Sequence, residues 1–267
     1  MVKNRKTTDP FHHVKEFSKK TRKRFEFSSE KLAIAPNYYV GWIDLMGAGH
    51  LMSTSVHKTA NFLVRLHMAV NEACVGAKFK GTPLPINDGI FLISASKAEL
   101  MTVLRDSMAT MAQLFVAVPR PHDRFFVRSA VAFGPVYFGN DLKQGIAIKK
   151  TRDAIDLERV AFGPPVIEAY LSEKDAPPFG IAVHESARAF APQGSAPFRM
   201  THWLWWQKQE EIISPKKGIS LPDLKNCLLS ELIAQFSWMR KSLIFHGVDN
   251  KKIDEWEQRS KEYFYLA

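Results

Sequence analysis

Two acids, Asp44 and Asp88, mark the ends of apolar runs: Asp44 closes "YYVGWID" before the chain bends through two glycines, and Asp88 opens onto "GIFLIS". A carboxylate at the end of a buried strand is costly to desolvate unless a basic side chain or a metal ion meets it. If the two strands are neighbours, the acids converge. Two carboxylates within a few ångström repel unless a proton or cation intervenes. Hard divalent ions such as magnesium and manganese prefer oxygen ligands of this kind together with phosphate oxygens. The competing reading is that each acid pairs with an Arg or Lys.

The elements that would position these acids follow from periodicity. "YYVGWIDL" is β-rich, and Ser53 to Cys74 carries apolar residues at helical spacing. Asn87 and Gly89 flank Asp88, which predicts a tight turn where one strand meets the next. "GIFLIS" is a short buried strand, and Lys97 to Phe115 is a second helix. "FFVRSAVAFGPVYFG" alternates like two strands joined through Gly134, "GPPVIEAYLSEKDA" starts a helix with prolines in its first turn, and "FGIAVHESA" is a further strand. "THWLWW" reads as a strand giving core and a partner surface. "PKKG" reads as a turn, with amphipathic helices near Leu221 to Phe245 and Ile253 to Tyr265. This order predicts an α+β fold, helices layered on a largely antiparallel sheet.

With 267 residues, 46% apolar and 24% charged, the chain suits one globular domain with appendages. The expected division is a basic arm over 1–30, a main domain over 31–200, and a strand and helix extension over 201–267 packed on it. No apolar run reaches the roughly 18–20 residues of a membrane helix, and the start lacks a signal-peptide core, so a cytoplasmic protein is expected. Cys74 and Cys227 lack metal-ligand spacing and read as core thiols, and His12 and His13 lack a metal-binding partner. The net charge of +10 is concentrated at the start, where residues 1–24 hold nine Lys or Arg against Asp9 and Glu16. Such an arm is solvated or contacts a polyanion or partner. Its Phe11, Phe17 and Phe25 are few for a nucleic-acid reader, and nucleic acid is not the expected partner.

Taken in order, "VGWIDLMGAGHLMS", "INDGIFLIS", "VRSAVAFGPVYFG" and "FGPPVIEAYLSEKDAPPFGIAV" resemble the catalytic domain of class III nucleotidyl cyclases. More narrowly, they resemble the bacterial pyrimidine cyclases of Pycsar antiphage defence, which make cyclic UMP or cyclic CMP. The resemblance spans about Tyr38 to Val183. It implies a ferredoxin-like domain, a homodimer with composite sites, and cyclisation of a nucleoside triphosphate with release of pyrophosphate. It also implies two Mn2+ or Mg2+ ions, and a separate effector protein that reads the product. Carried onto this sequence, Asp44, Asp88 and the carbonyl of Leu45 become metal ligands. The turn Met46, Gly47, Ala48 and Gly49 would offer N–H groups to the triphosphate.

The departures point away from purines. Leu84 stands where purine cyclases carry a Lys, and Ile167 and Leu171 stand where they carry an Asn and an Arg. UTP is preferred to CTP as the expected substrate, and a domain that binds nucleotide without turnover is the alternative. Another cation must then meet the charge that builds on the phosphoryl oxygens. Arg128, on an apolar-flanked strand, is that candidate, with a structural ion pair as its other reading. Lys80, Arg152 and Arg159 read as solvated. Trp42 is a candidate base-packing residue or a core residue, and Tyr38 and Tyr39 read alike. His50 is a possible substrate contact, and Glu168 and Tyr170 read as interface packing.

Overall fold

The computed structural model describes residues 11–190, 198–199, 202–207, 220–242 and 248–265. The expected "PKKG" turn, the end of the helix expected up to Phe245 and the first ten residues of the arm lie outside them. The chain forms two compact units, one of residues 37–136 and 163–267, the other of residues 1–36 and 137–162. In chain order, α1 (His12–Arg24) precedes β1 (Asn37–Leu45), α2 (Ala48–Thr54), α3 (Val56–Gly76), β2 (Thr82–Ile86), β3 (Gly89–Ser94), α4 (Lys97–Ala117) and β4 (Val127–Pro135). The smaller unit then takes β5 (Tyr137–Phe138), α5 (Gly139–Leu142), α6 (Lys149–Ala154) and β6 (Ala161–Phe162). The larger unit resumes with α7 (Pro164–Ser172), β7 (Ile181–Val183), β8 (Phe198–Arg199), β9 (His202–Trp203), α8 (Leu221–Lys241) and α9 (Asn250–Tyr265).

The larger unit is α+β. Its sheet runs β2-β3-β1-β4-β7-β9-β8, and each of the first four strands is antiparallel to its neighbour among them. Read with α3 and α4 between strands, this is two interleaved strand–helix–strand units, the ferredoxin-like arrangement. β7 then joins β4 in parallel. Side chains of β1 alternate. Gly41, Ile43 and Leu45 face the helices, and a Cβ on Gly41 would lie 3.2 Å from Leu100 and Leu104 of α4. Trp42 and Asp44 therefore face the opposite side, where Tyr170 of α7 meets Trp42 edge-on.

Capping explains the helix boundaries. The helix expected from Ser53 divides at Ser55, whose side chain accepts from Lys58 N while its extended backbone ends α2. Ser96 caps α4 in the same way through Glu99 N. On the helical face α8 packs on α4, and α9 packs on α8. Leu228, Leu232 and Phe236 of α8 are buried in that core.

Three expectations are corrected. β4 runs unbroken through Gly134, which pairs with Tyr38, so the second expected strand shrinks to the two residues of β5. "WLWW" gives only Trp203 to a strand; Leu204, Trp205 and Trp206 turn into the core, where Trp205 Nε1 donates to the Phe179 carbonyl at 2.9 Å and Trp206 lies on Phe264. Burial of all four leaves no partner surface there, because each ring finds its apolar partner inside the chain. Cys227 is exposed on α8, since the helix turns Leu224 and Leu228 inward instead. Cys74 is half-buried, and that burial pushes its thiol up to about 11.

Gly89 sets the approach of β3 to β1. A Cβ there would lie 2.3 Å from the Trp42 ring and 2.6 Å from the Ile43 carbonyl oxygen. Gly89→Ala is expected to destabilise by about 1–3 kcal/mol, because the buried ring has no room to retreat. Thermal unfolding checks this: a wild-type melting temperature in the variant would contradict such close packing.

Candidate active site

Asp44 sits at the end of β1, opposite Gly89 of β3 on one side and Arg128 of β4 on the other. Asp88 occupies the two-residue turn before Gly89, with Asn87 at φ +50°, and its carbonyl accepts from Leu45 N at 3.2 Å. The strands are neighbours, and the two acids meet at one end of the sheet. A third carboxylate joins them: Glu173, from the single helical turn Glu173–Asp175 that follows α7. Arg128 Nη2 donates to Glu173 Oε1 at 2.7 Å, and its Nε also contacts Glu173 Oε2. The same Nε lies 3.8 Å from Asp44 Oδ2.

Electrostatics follow from this geometry. Burial, and then the charge of Asp88, push the Asp44 carboxyl up to about 6, against the pull of Arg128. Burial pushes Glu173 up to about 7; Arg128 opposes the rise and Asp44 adds to it. Arg128 thus faces Glu173 and Asp44 while Asp88 acts on Asp44, and with all ionised the cluster has two negative charges in excess.

That deficit is what a divalent cation corrects, and the donors are hard oxygens. Among the described residues no three His, Cys, Asp or Glu side chains converge as ligands of one ion. The protein's share would therefore be the pair Asp44 and Asp88, with backbone or substrate oxygens completing the coordination. Asp44 and Asp88 fit such an ion; the Arg128–Glu173 pair stands beside them as a counter-charge.

The turn after Asp44 divides in two. Met46 N donates to the Phe126 carbonyl at 2.9 Å, so its N–H is spent inside the fold. Gly47, at φ +76°, begins α2 without a side-chain cap. The N–H groups of Ala48 and Gly49 lie in the first helical turn, where no intrahelical acceptor exists. Other candidates disperse. Trp42 is 2% exposed, packed between Phe91 and Tyr170. Glu168 is held within its own unit by Ser186 Oγ at 2.9 Å and His184 Nδ1 at 3.3 Å. Lys80 and His50 are exposed, and Arg152 and Arg159 belong to the smaller unit. Ile167, Tyr170 and Leu171 form an exposed apolar edge of α7, while Leu84 is buried on β2.

Sequence reasoning missed Glu173. In "LSEKDA" it looks like the solvated, charged end of a helix; the only signal was that Arg128, on a core strand, needed a counter-ion.

No family model matches this chain. No curated protein matches it in sequence. Solved structures overlap it partly, and they are cyclase domains. The monomeric guanylyl cyclase domain of the RhoGC fusion protein from Blastocladiella emersonii is 14% identical, with a TM-score of 0.45 over 60% of this chain and 87% of that one. An adenylate cyclase from Trypanosoma brucei in its monomeric state is 10% identical, with a TM-score of 0.44 over 60% of this chain and 79% of that one. The guanylate cyclase domain of RhGC from Catenaria anguillulae, in complex with GTP, is 12% identical, with a TM-score of 0.45 over 59% of this chain and 83% of that one. With overlaps this partial, the functional reading rests on the residues of the site.

Proposed function

We propose that this chain is a pyrimidine nucleotide cyclase that converts UTP to 3′,5′-cyclic UMP and pyrophosphate. The observation that carries the reading is the convergence of Asp44 and Asp88 at one sheet end, with excess negative charge, beside the uncapped turn at Gly47. In the reaction the ribose 3′-oxygen attacks the α-phosphorus, the bond to the bridging oxygen breaks, pyrophosphate leaves, and the hydroxyl proton passes to solvent. Two Mn2+ or Mg2+ ions held by Asp44, Asp88 and the Leu45 carbonyl would acidify the hydroxyl and neutralise the leaving phosphates. The chain's own part is to orient the triphosphate on the N–H groups of Gly47, Ala48 and Gly49 and to hold Arg128 close to the reacting end.

Leu84, Ile167 and Leu171 support a pyrimidine, because these apolar groups replace the polar ones by which the purine enzymes are marked. The exposed edge Ile167, Tyr170 and Leu171 supports a homodimer that completes the site across α7. A role in Pycsar defence, with a separate effector protein reading the cyclic nucleotide, follows from the sequence resemblance alone.

The test is incubation of the purified chain with Mn2+ and each of the four ribonucleoside triphosphates. Pyrophosphate and a cyclic product are expected with UTP above the others. A product from CTP alone would move the assignment to cyclic CMP; nucleotide binding without pyrophosphate would leave a binding domain. The pH profile provides a second check. A proton on Asp44 competes with cation binding, so Mn2+ affinity is expected to fall as pH drops through about 6. Calorimetric titration at pH 8 and pH 5.5 measures it, and equal affinities would argue against these ligands.

A further inference from the structure

The smaller unit carries a feature that the catalytic reading does not use. α1 has no buried residue. Its apolar side chains are among the most exposed in the chain: Val14 is 61% and Phe17 71% exposed, with Phe11 at its N-cap 65% and Phe25 at its C-cap 74%. At 100° per residue these four fall within one arc of about 120°. Lys15, Lys19, Lys20, Arg22, Lys23 and Arg24 occupy the rest of the circumference, opposed on the helix by Glu16 alone.

We propose that α1 is a membrane-surface anchor that lays its Phe11–Val14–Phe17–Phe25 edge into an anionic lipid bilayer. A strongly basic face, low overall hydrophobicity and a separate aromatic edge match a helix lying in the plane of the interface, its rings among acyl chains and its ammonium groups among phosphates. Thirteen residues span about 20 Å, too short to cross a bilayer. Among the described residues no helix is long and apolar enough to do so.

The segregation of charge and rings decides between partners. A single-stranded nucleic acid stacks its bases on rings set within the basic surface that tracks its backbone. On α1 the rings form an edge beside that surface, which suits a partner with charge outside and hydrocarbon beneath. Attraction to anionic headgroups adds roughly fivefold in affinity for each Lys or Arg near the surface.

Co-sedimentation of the full chain with vesicles tests this, using phosphatidylcholine alone and phosphatidylcholine mixed with phosphatidylglycerol. The chain is expected to sediment with the mixed vesicles and to stay in solution with the neutral ones. Lys20→Gln is expected to weaken partitioning roughly fivefold, and Phe17→Ser with Phe25→Ser to reduce it at least tenfold. Since α1 buries nothing, these variants should melt as the wild type does. Absence from anionic vesicles would overturn the proposal. So would retention on them with the Phe variants unchanged, and so would single-stranded RNA displacing the chain from vesicles while binding wild type and Phe variants alike.

Discussion

Asp44→Asn is expected to abolish pyrophosphate release and at the same time make the protein harder to melt at pH 8. The first effect, a loss of at least about a thousandfold, follows from removing one of two carboxylates that hold the cations of a phosphoryl transfer. The second follows from linkage. Burial and Asp88 raise the Asp44 carboxyl from 3.8 to about 6, so the folded chain binds that proton more tightly than the unfolded chain. Stability from this group therefore increases as pH falls through about 6 towards 4, and at pH 8 the ionised acid is a net burden on the fold. Asparagine removes the burden without changing the shape. A gain of about 1–3 kcal/mol is expected at pH 8, equivalent to roughly 2–10 °C in melting temperature, falling to about half at pH 5 and vanishing only below about pH 4, where the carboxyl of the unfolded chain is protonated too. Scanning calorimetry without divalent ions at both pH values provides the measurement. A variant that loses stability at pH 8 would show that Asp44 is held by Arg128 as a structural pair, with no role for a cation.

Much of this site was legible in the sequence because strand periodicity is local. Asp44 and Asp88 each follow from an apolar run and a turn signal, and the antiparallel pairing of β1 with β3 brings them together without any distant contact being guessed. The caps at Ser55 and Ser96 were not read from the sequence, and the break between α2 and α3 emerges only when the Ser55 backbone is seen to be extended. What stayed hidden depends on packing over long separations. Glu173 reaches Arg128 from the turn that follows α7, and no period in "LSEKDA" distinguishes a buried acid from a solvated one. Met46 looked free to offer its N–H to a phosphate, but the Phe126 carbonyl, brought alongside by β4, takes it. The tryptophans failed for a similar reason: alternation predicted a strand, whereas burial against Phe179 and Phe264 pulls Trp205 and Trp206 out of one.

Arg128→Ala is expected to be among the most destabilising single changes in the larger unit. Removing the cation leaves Glu173 and Asp44 buried without a counter-charge, a change that costs about 3–5 kcal/mol where a buried pair is broken from one side. Loss of turnover in that variant would then be ambiguous, since a melted site and a missing transition-state cation look alike. The double variant Arg128→Met with Glu173→Leu separates the two. Apolar groups of similar volume replace the Arg128–Glu173 pair, Asp44 alone loses a counter-charge, and melting is expected to return to within about 1–3 kcal/mol of wild type. If Arg128 neutralises charge on the phosphoryl oxygens, turnover in the refolded double variant stays down by at least about a hundredfold. If Arg128 only fixes the loop after α7 against β4, turnover returns with the fold. Melting curves and pyrophosphate release on the same three proteins decide between a catalytic arginine and a structural one, because only the catalytic role predicts that stability recovers and activity does not.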